Sequence, residues 1–178
     1  FDRIYMEHME DELLRCDQAL QHLGETDYYL KMTKEIRGRG FCHHDFAHHN
    51  VLIGEDNKVT IIDFDYAILD THLHDLASLL IRRMKNGKWD IENARYILDA
   101  YDSVYKVEAE DIPIMAAFME FPQDYWQVGI QYYWEKQPWG EEFFLKKLTR
   151  IIEDKEEKQE FVNEFMFFNY KGKGGETY

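Results

Sequence analysis

Apolar residues recur every three or four positions along most of this chain, the spacing that places them on one face of an α-helix. The stretches for which this pattern predicts a helix are 1–23, 26–36, 73–85, 91–105, 112–121, 123–135 and 141–168. Pro113, Pro122 and Pro138 stand at or near the starts of three of them, where a missing backbone N–H costs least. We therefore expect one helical body over residues 1–170.

The hydrophobic period changes between residues 41 and 66. Two short runs typical of β-strands, 50–53 and 58–62, are joined by Gly-Glu-Asp-Asn, which predicts a tight hairpin. We find no other convincing strand, so the predicted fold class is mainly α, an α+β arrangement with one small hairpin. The Lys-Gly-Lys-Gly-Gly segment predicts a disordered tail over 171–178.

Composition narrows the range of partners. The formal net charge is -14, which repels nucleic acid and anionic membrane surfaces and favours neutral or cationic partners. No apolar run reaches the roughly 18 residues of a membrane span and no signal segment opens the chain, so we expect cytoplasmic synthesis. Cys16 and Cys42 are too few for a disulfide framework and are expected to be reduced and buried.

Candidate chemistry is concentrated between residues 41 and 65. Asp45 is followed five positions later by Asn50, and Asp63 ends the second predicted strand. Phosphoryl transfer needs a base near the acceptor hydroxyl and cations that neutralise the phosphates. Asp45 is a candidate for the base. Asn50 and Asp63 offer the hard oxygen ligands that magnesium prefers, and antiparallel pairing of the hairpin returns Asp63 to the neighbourhood of Asn50.

This spacing resembles a known catalytic loop. His43-x-Asp45, then four residues and Asn50, is similar to the loop of aminoglycoside phosphotransferases and choline kinases, which have a protein-kinase-like fold. The resemblance implies ATP and magnesium as cofactors, with Asp45 as catalytic base. It also implies supporting roles for His43 and for Asp75, whose carboxylate steadies the backbone of the catalytic loop.

Asp63-Phe64-Asp65 resembles the metal-binding triplet of the same family. The resemblance implies that Asn50 and Asp63 bind the nucleotide through magnesium, with Asp65 as a further metal ligand or as a hydrogen-bonding residue of the loop. Protein kinases usually have glycine in place of Asp65, so this position argues against a protein substrate.

Two further segments resemble the spore-coat kinase-like proteins of endospore formers. They are His-His-Asp-Phe-x-x-His-Asn over 43–50 and Phe-Pro-x-x-Tyr-Trp over 121–126. The resemblance implies a small-molecule or saccharide acceptor, association with the spore coat, and other coat proteins as partners. The alternatives are a non-catalytic coat protein with a kinase fold and, ranked lower, an antibiotic-resistance phosphotransferase.

Other interpretations of these residues stay open. The histidines of the loop, His43, His44, His48 and His49, could instead hold zinc together with Asp45. The aromatic residues between 118 and 134 recur at helical spacing, which favours packing in the core. One or two of them, with Asp124 or Glu135, could line the acceptor pocket.

No glycine-rich loop and no Val-x-x-Lys strand precede the catalytic loop. In kinase-like enzymes these features belong to a nucleotide-binding lobe. The first residue is Phe1, so we expect the chain to begin inside a longer polypeptide, after an N-terminal nucleotide lobe that is absent here. We expect residues 1–178 alone to bind ATP weakly and to turn over little or nothing.

Overall fold

The structure is a computed structural model that describes residues 1–172. The helices are α1 (Asp2–Gly24), α2 (Tyr28–Arg37), α3 (Leu73–Met84), α4 (Ile91–Asp102), α5 (Asp111–Glu120), α6 (Gln123–Gly129) and α7 (Glu141–Met166). Strands β1 (Val51–Ile53) and β2 (Val59–Ile61) lie between α2 and α3. The predicted fold class, a helical body with one small hairpin, agrees with this order of elements.

Helix α5 forms the centre of the fold, where it packs against α1, α3 and α7. Eight of its ten residues are buried, because apolar side chains cover it on nearly every side. A helix that is apolar all round is stable only when other helices enclose it. The positions of α1, α3 and α7 are therefore set by contact with one shared helix.

Two apolar cores lie on either side of this arrangement. The larger is built from α3, α4, α5 and the C-terminal part of α7. The smaller joins the first turn of α1 to α6 and the N-terminal part of α7. In the smaller core the rings of Tyr5 and Tyr125 stack with centroids 4.4 Å apart, and the Tyr125 hydroxyl donates to the Tyr5 carbonyl.

The predicted helices match the structure to within three residues at each end, except for 123–135. There α6 ends at Gly129 and a π-helical turn, Ile130–Trp134, continues it. The extra residue in a π turn shifts the faces of the side chains that follow. The expectation that the aromatic residues of this region pack in the core is wrong for Tyr133 and Trp134 of this turn, which are 45% and 86% exposed, and for Phe121, which precedes α6 and is 37% exposed.

The predicted hairpin is confirmed, with Val51 opposite Ile61. Its turn is closed by the N–H of Gly54, which donates to the Lys58 carbonyl at 2.9 Å. A second pairing was not predicted. Cys42 and Ile68 exchange two backbone hydrogen bonds of 3.0 and 3.1 Å, so the ends of the segment that contains the hairpin are joined.

The two cysteines differ in exposure. Cys42 is buried, but Cys16 is only half-buried and its sulfur accepts the Trp126 Nε1–H at 3.0 Å.

Residues 173–178, most of the predicted disordered tail, lie outside the described residues. Between residues 1 and 172, no helix has both the length and the apolar character needed to cross a membrane.

A hydrogen-bonded joint connects α2 to the start of α3. The Glu35 carboxylate accepts the Thr71 hydroxyl at 2.8 Å, the His72 N–H at 2.9 Å and His72 Nδ1–H at 2.8 Å. Burial by itself raises the pKa of Glu35, but these hydrogen bonds outweigh it and hold that pKa below the usual 4.5. The joint therefore stabilises the ionised carboxylate and the segment that leads into α3.

This pKa shift predicts a pH-dependent effect of Glu35→Gln. A carboxylate with a lowered pKa contributes stability above its unfolded-state pKa, and the contribution is lost as pH falls through the folded-state pKa. We expect the variant to be less stable than the wild type by about 1–3 kcal/mol near pH 7, with the difference shrinking below pH 4.5. Urea unfolding across this range measures it. A difference that is constant with pH would contradict the assignment.

Candidate functional site

Asp75, in the first turn of α3, receives two backbone hydrogen bonds from the loop of residues 43–50, which we name the catalytic loop after the family that it resembles. Its Oδ2 accepts the N–H of His43 at 2.6 Å and its Oδ1 accepts the N–H of His44 at 2.8 Å. His44 has φ 65°, in the left-handed region, which costs a residue with a side chain on the order of 1 kcal/mol. Two hydrogen bonds to a carboxylate offset this cost and set the direction in which the loop enters Asp45.

His43 connects the same loop to the end of the hairpin. Its ring is buried and its Nε2 lies 2.9 Å from the carbonyl oxygen of Ile62. The Asp45 N–H donates to His43 Nδ1 at 3.3 Å, so Nε2 carries the proton and donates to Ile62. The residue before Asp63 is thus held against the residues before Asp45.

Asn50 is 3% exposed and closes the short 3-10 turn His48–Asn50. Its Nδ2 donates to the Asp45 carbonyl at 3.0 Å and lies 3.4 Å from Asp45 Oδ2. The backbone carbonyl of Asn50 accepts the N–H of Ile62 at 3.0 Å. Because Nδ2 is used within the loop, the side-chain oxygen Oδ1 is the atom that Asn50 can offer to a metal.

Arg82 is a residue of this site that the sequence reasoning missed. Its Nη2 donates to Asp45 Oδ1 at 2.5 Å, and its Nε lies 3.4 Å from Ser78 Oγ. Asp75, Ser78 and Arg82 are spaced three and four positions apart along α3, which puts them on one helix face. That spacing was a readable signal, since Asp75 was already expected to face the loop.

Asp63 follows Ile62 directly and therefore leaves the hairpin beside Asn50. It has φ 66°, and both Asp63 and Asp65 are exposed. Among residues 1–172, no cation lies at ion-pair distance from either carboxylate. The backbone thus brings Asp63 to the end of the hairpin where Asp45 and Asn50 lie, through the hydrogen bond of Ile62 to Asn50. Among residues 1–172, neither the Asp63 nor the Asp65 carboxylate is hydrogen-bonded to Asp45 or Asn50.

The donor set at this end of the hairpin is compatible with magnesium. Magnesium takes only one or two oxygen ligands from the protein in many phosphate-binding sites. The Asn50 amide oxygen and the Asp63 carboxylate are oxygen donors of this kind, and neither is committed to another described residue. Asp63 would supply the negative charge and Asn50 the neutral ligand.

The zinc alternative finds no support in the described part of the chain, where no group of three or more His, Cys, Asp or Glu side chains could hold a metal. His44 packs on His74 with ring centroids 4.5 Å apart, while His48 and His49 pack on each other. The histidines therefore lie in separate contacts. Burial, together with the neighbouring His44, lowers the pKa of His74 below 6.5.

A small recess of about 80 Å³ lies beside the catalytic loop. Its lining includes His74 and Ser78 from α3, Phe118 from α5, and Phe121 and Gln123 near the start of α6. Ser78 is the residue that Arg82 contacts, and Arg82 contacts Asp45. Arg82 therefore contacts both a lining residue of the recess and the candidate base.

Comparison with known proteins identifies a family and two related proteins. A family model described as phosphotransferase enzyme family matches residues 3–122. Spore coat protein S of Bacillus subtilis (strain 168) is 27% identical over 167 residues, which are 92% of this chain and 47% of that protein. An uncharacterized protein of Mycoplasma pneumoniae is 27% identical over 86 residues, 45% of this chain and 29% of that protein.

A solved structure shares the fold. The crystal structure of an aminoglycoside phosphotransferase from Alicyclobacillus acidocaldarius matches with a TM-score of 0.74 and 23% identity, over 93% of this chain and 49% of that one. The predicted fold class, the helical C-terminal lobe of a kinase-like fold, is thereby confirmed. The chain spans about half the length, or less, of the relatives it matches.

Asp75→Ala tests the anchoring of the loop. Loss of two hydrogen bonds to a carboxylate should lower the free energy of unfolding by about 2–4 kcal/mol, measured by urea denaturation. In the variant, amide hydrogen exchange at His43 and His44 should be faster than in the wild type, while exchange in α5 stays closer to the wild-type rate. Asp17→Ala, an exposed aspartate of α1, is the matched control and should change stability by less than about 0.5 kcal/mol. Unchanged exchange at His43 and His44 would count against the anchor.

Proposed function

Because the chain belongs to the phosphotransferase enzyme family, we propose that its native protein transfers the γ-phosphate of ATP to a hydroxyl group of a small molecule or saccharide. One observation carries the proposal. Asp45, Asn50 and Asp63 lie at the same end of the hairpin. Asp75 holds the backbone that leads into Asp45, Asn50 bonds to Asp45, and the buried His43 bonds to Ile62, the residue before Asp63.

Asp45 is the proposed base. In a loose phosphoryl-transfer transition state little proton transfer has occurred, so a carboxylate acts mainly by orienting the acceptor hydroxyl. Arg82 holds Oδ1 of Asp45 and Asn50 Nδ2 lies near Oδ2. These two contacts fix the plane of the carboxylate, so the hydroxyl meets an acceptor of defined direction.

Asn50 and Asp63 are the proposed ligands of magnesium, and Asp65 is a proposed further ligand. Bound magnesium would neutralise charge on the β- and γ-phosphates. The buried position of Asn50 limits the motion of its amide oxygen, which favours a preorganised ligand. Asp63 is exposed, so its carboxylate is accessible to a metal ion.

The hairpin offers a surface for the rest of the enzyme. Leu52, Ile53 and Val59 are 49%, 72% and 63% exposed, an unusual concentration of apolar side chains on so small a sheet. We propose that a nucleotide-binding lobe outside residues 1–178 packs on these side chains and supplies the contacts to the α- and β-phosphates. On this proposal residues 1–178 alone bind ATP weakly.

We further propose that the protein is made in the cytoplasm and associates with the spore coat, since spore coat protein S matches 92% of the chain. A non-catalytic coat protein is the second candidate. The observation that favours it is the match to spore coat protein S, whose name states a place in the coat and no activity. Coat proteins are the expected partners under either candidate.

Magnesium-dependent nucleotide binding is the first test. In the native full-length protein, Asp63→Ala should weaken binding of Mg·ATP at least tenfold in isothermal titration, because it removes the charged ligand. Asp17→Ala is the matched control and should bind as the wild type does. Binding that is independent of magnesium or of Asp63 would contradict the assigned metal site. No binding by the wild type would favour the non-catalytic coat protein.

Asp45→Asn separates catalysis from binding. The change keeps the shape of the side chain but removes its charge, so transfer to any acceptor should fall by about 100-fold or more while Mg·ATP binding stays within a factor of three. Acceptor-dependent formation of ADP measures transfer, and isothermal titration with Mg·ATP measures binding. Asp17→Asn is the control. Transfer that survives in Asp45→Asn would remove Asp45 from the role of base.

A further inference from the structure

A second and larger cavity lies away from the hairpin. It has a volume of about 360 Å³, within the range of sites that bind small molecules. Four elements form its walls: α1, the end of α3, the start of α6, and α7. Apolar contact surface comes from Trp89, Tyr125 and Ile151.

The charge of this cavity is opposite to that of the chain. Seven of the 21 lysines and arginines line it, against only three acidic residues, although the formal net charge is -14. We call it the basic cavity. Such a concentration of cations in a concave, partly apolar site focuses a positive potential that attracts anions.

The acidic residues of the basic cavity are already engaged. Glu12 Oε1 lies 2.8 Å from Lys155 Nζ, and Asp124 Oδ2 lies 3.8 Å from Lys85 Nζ. Asp154 accepts the Trp89 Nε1–H and a backbone N–H, both at 2.9 Å. Glu12 and Asp124 are thus paired with lysines, whereas Asp154 is held by neutral donors and keeps its charge. With seven cations and three carboxylates, the lining still carries a formal charge of +4.

Five cations of the basic cavity have no carboxylate at ion-pair distance among residues 1–172. They are Arg15, Lys146, Lys147, Arg150 and Lys158. Lys147 donates to Gln131 Oε1 at 2.7 Å, and Lys158 lies 3.4 Å from the Phe121 carbonyl. Burial lowers the pKa of Lys147 and of Lys158. An anion in the cavity would relieve both the repulsion and the lost hydration of these ammonium groups.

The basic cavity and Asp45 are related through α3. Ile81 of this helix lines both the cavity and the small recess. Ser78 and Arg82, on the same helix, connect the recess to Asp45, since Arg82 Nε lies 3.4 Å from Ser78 Oγ and Arg82 Nη2 donates to Asp45 Oδ1. By contrast, no residue of the catalytic loop or of the hairpin lines the basic cavity, so it is separate from the proposed magnesium site.

We propose that the basic cavity binds the anionic group of the hydroxyl acceptor, so the acceptor is a small molecule that carries a phosphate or a carboxylate. This rests on the proposed function, because it takes phosphoryl transfer at Asp45 as given. An anionic acceptor is the opposite of the neutral or cationic partners expected from the net charge. Net charge describes the whole surface and does not locate a site.

Binding of inorganic phosphate to the native full-length protein tests the anion site without any need for transfer. The wild type should bind phosphate, and the double variant Lys147→Gln with Arg150→Gln should bind it at least tenfold more weakly in isothermal titration. The matched control, Lys106→Gln with Arg83→Gln, removes the same charges outside the cavity and should bind normally. Lys147→Arg with Arg150→Lys should also retain binding. Absent or equal binding in wild type and double variant overturns the proposal.

Asp63→Ala keeps the two hypotheses distinguishable. This variant should lose Mg·ATP binding while its phosphate affinity stays at the wild-type value. Failure of ATP binding in the wild type would contradict the proposed function alone. Equal weakening of phosphate binding by Asp63→Ala would instead place the anion at the metal site and overturn the assignment to the basic cavity.

Matched acceptors then test the substrate class. Glucose 6-phosphate, glycerol 3-phosphate and galacturonate are compared with glucose, glycerol and galactose as stimulators of ATP consumption. We expect stimulation only by anionic members, with KM for the acceptor raised at least tenfold in Lys147→Gln with Arg150→Gln and KM for ATP unchanged. Stimulation by neutral members, or by no member of the set, overturns the assignment of the cavity to the acceptor.

Discussion

Two backbone N–H groups of the catalytic loop end on one carboxylate, that of Asp75, and the geometry of the candidate site depends on this contact. Asp75 can act as an anchor because its helix, α3, is packed on the buried helix α5. The position of the loop is therefore fixed relative to the centre of the protein by one helix, α3. His43 connects the hairpin to the same loop, since its ring is hydrogen-bonded to Ile62, the residue before Asp63. Arg82, two turns along α3 from Asp75, orients the Asp45 carboxylate from the same helix face.

Two positions near the site adopt a left-handed backbone, His44 and Asp63. Strain of this kind persists where surrounding contacts over-determine it, and it is common at functional sites. At His44 the contacts are the Asp75 hydrogen bond and the packing of its ring on His74. At Asp63 they come from the preceding residue, Ile62, which is bonded to both His43 and Asn50. These contacts offset the local backbone cost and fix the course of the backbone next to Asp45 and Asp63.

Much of the fold follows from local pattern, because helical spacing and the hairpin turn are properties of neighbouring residues. The helices and the β1–β2 pairing were predictable for this reason, as was the approach of Asp63 to Asn50. Contacts between distant segments were not. The Cys42–Ile68 pairing, the Arg82–Asp45 ion pair and the basic cavity each bring together residues that no periodicity relates. Trp134 escaped prediction for a different reason: a π turn has no distinct hydrophobic signature and changes the face of every residue after it.

The Cys42–Ile68 pairing has a consequence for how this segment can diverge among relatives. The pairing fastens both ends of the segment, and the Asn50–Ile62 hydrogen bond fastens it again at the base of the hairpin. The tip around Gly54 and Asn57 is thus mechanically isolated from Asp45 and Asp63. Lengthening an already closed loop costs little entropy, about 0.6 kcal/mol for each doubling. The hairpin tip can accordingly accept inserted sequence while the distances between the chemical groups stay the same, as long as the insertion leaves Leu52, Ile53 and Val59 uncovered for the proposed nucleotide lobe.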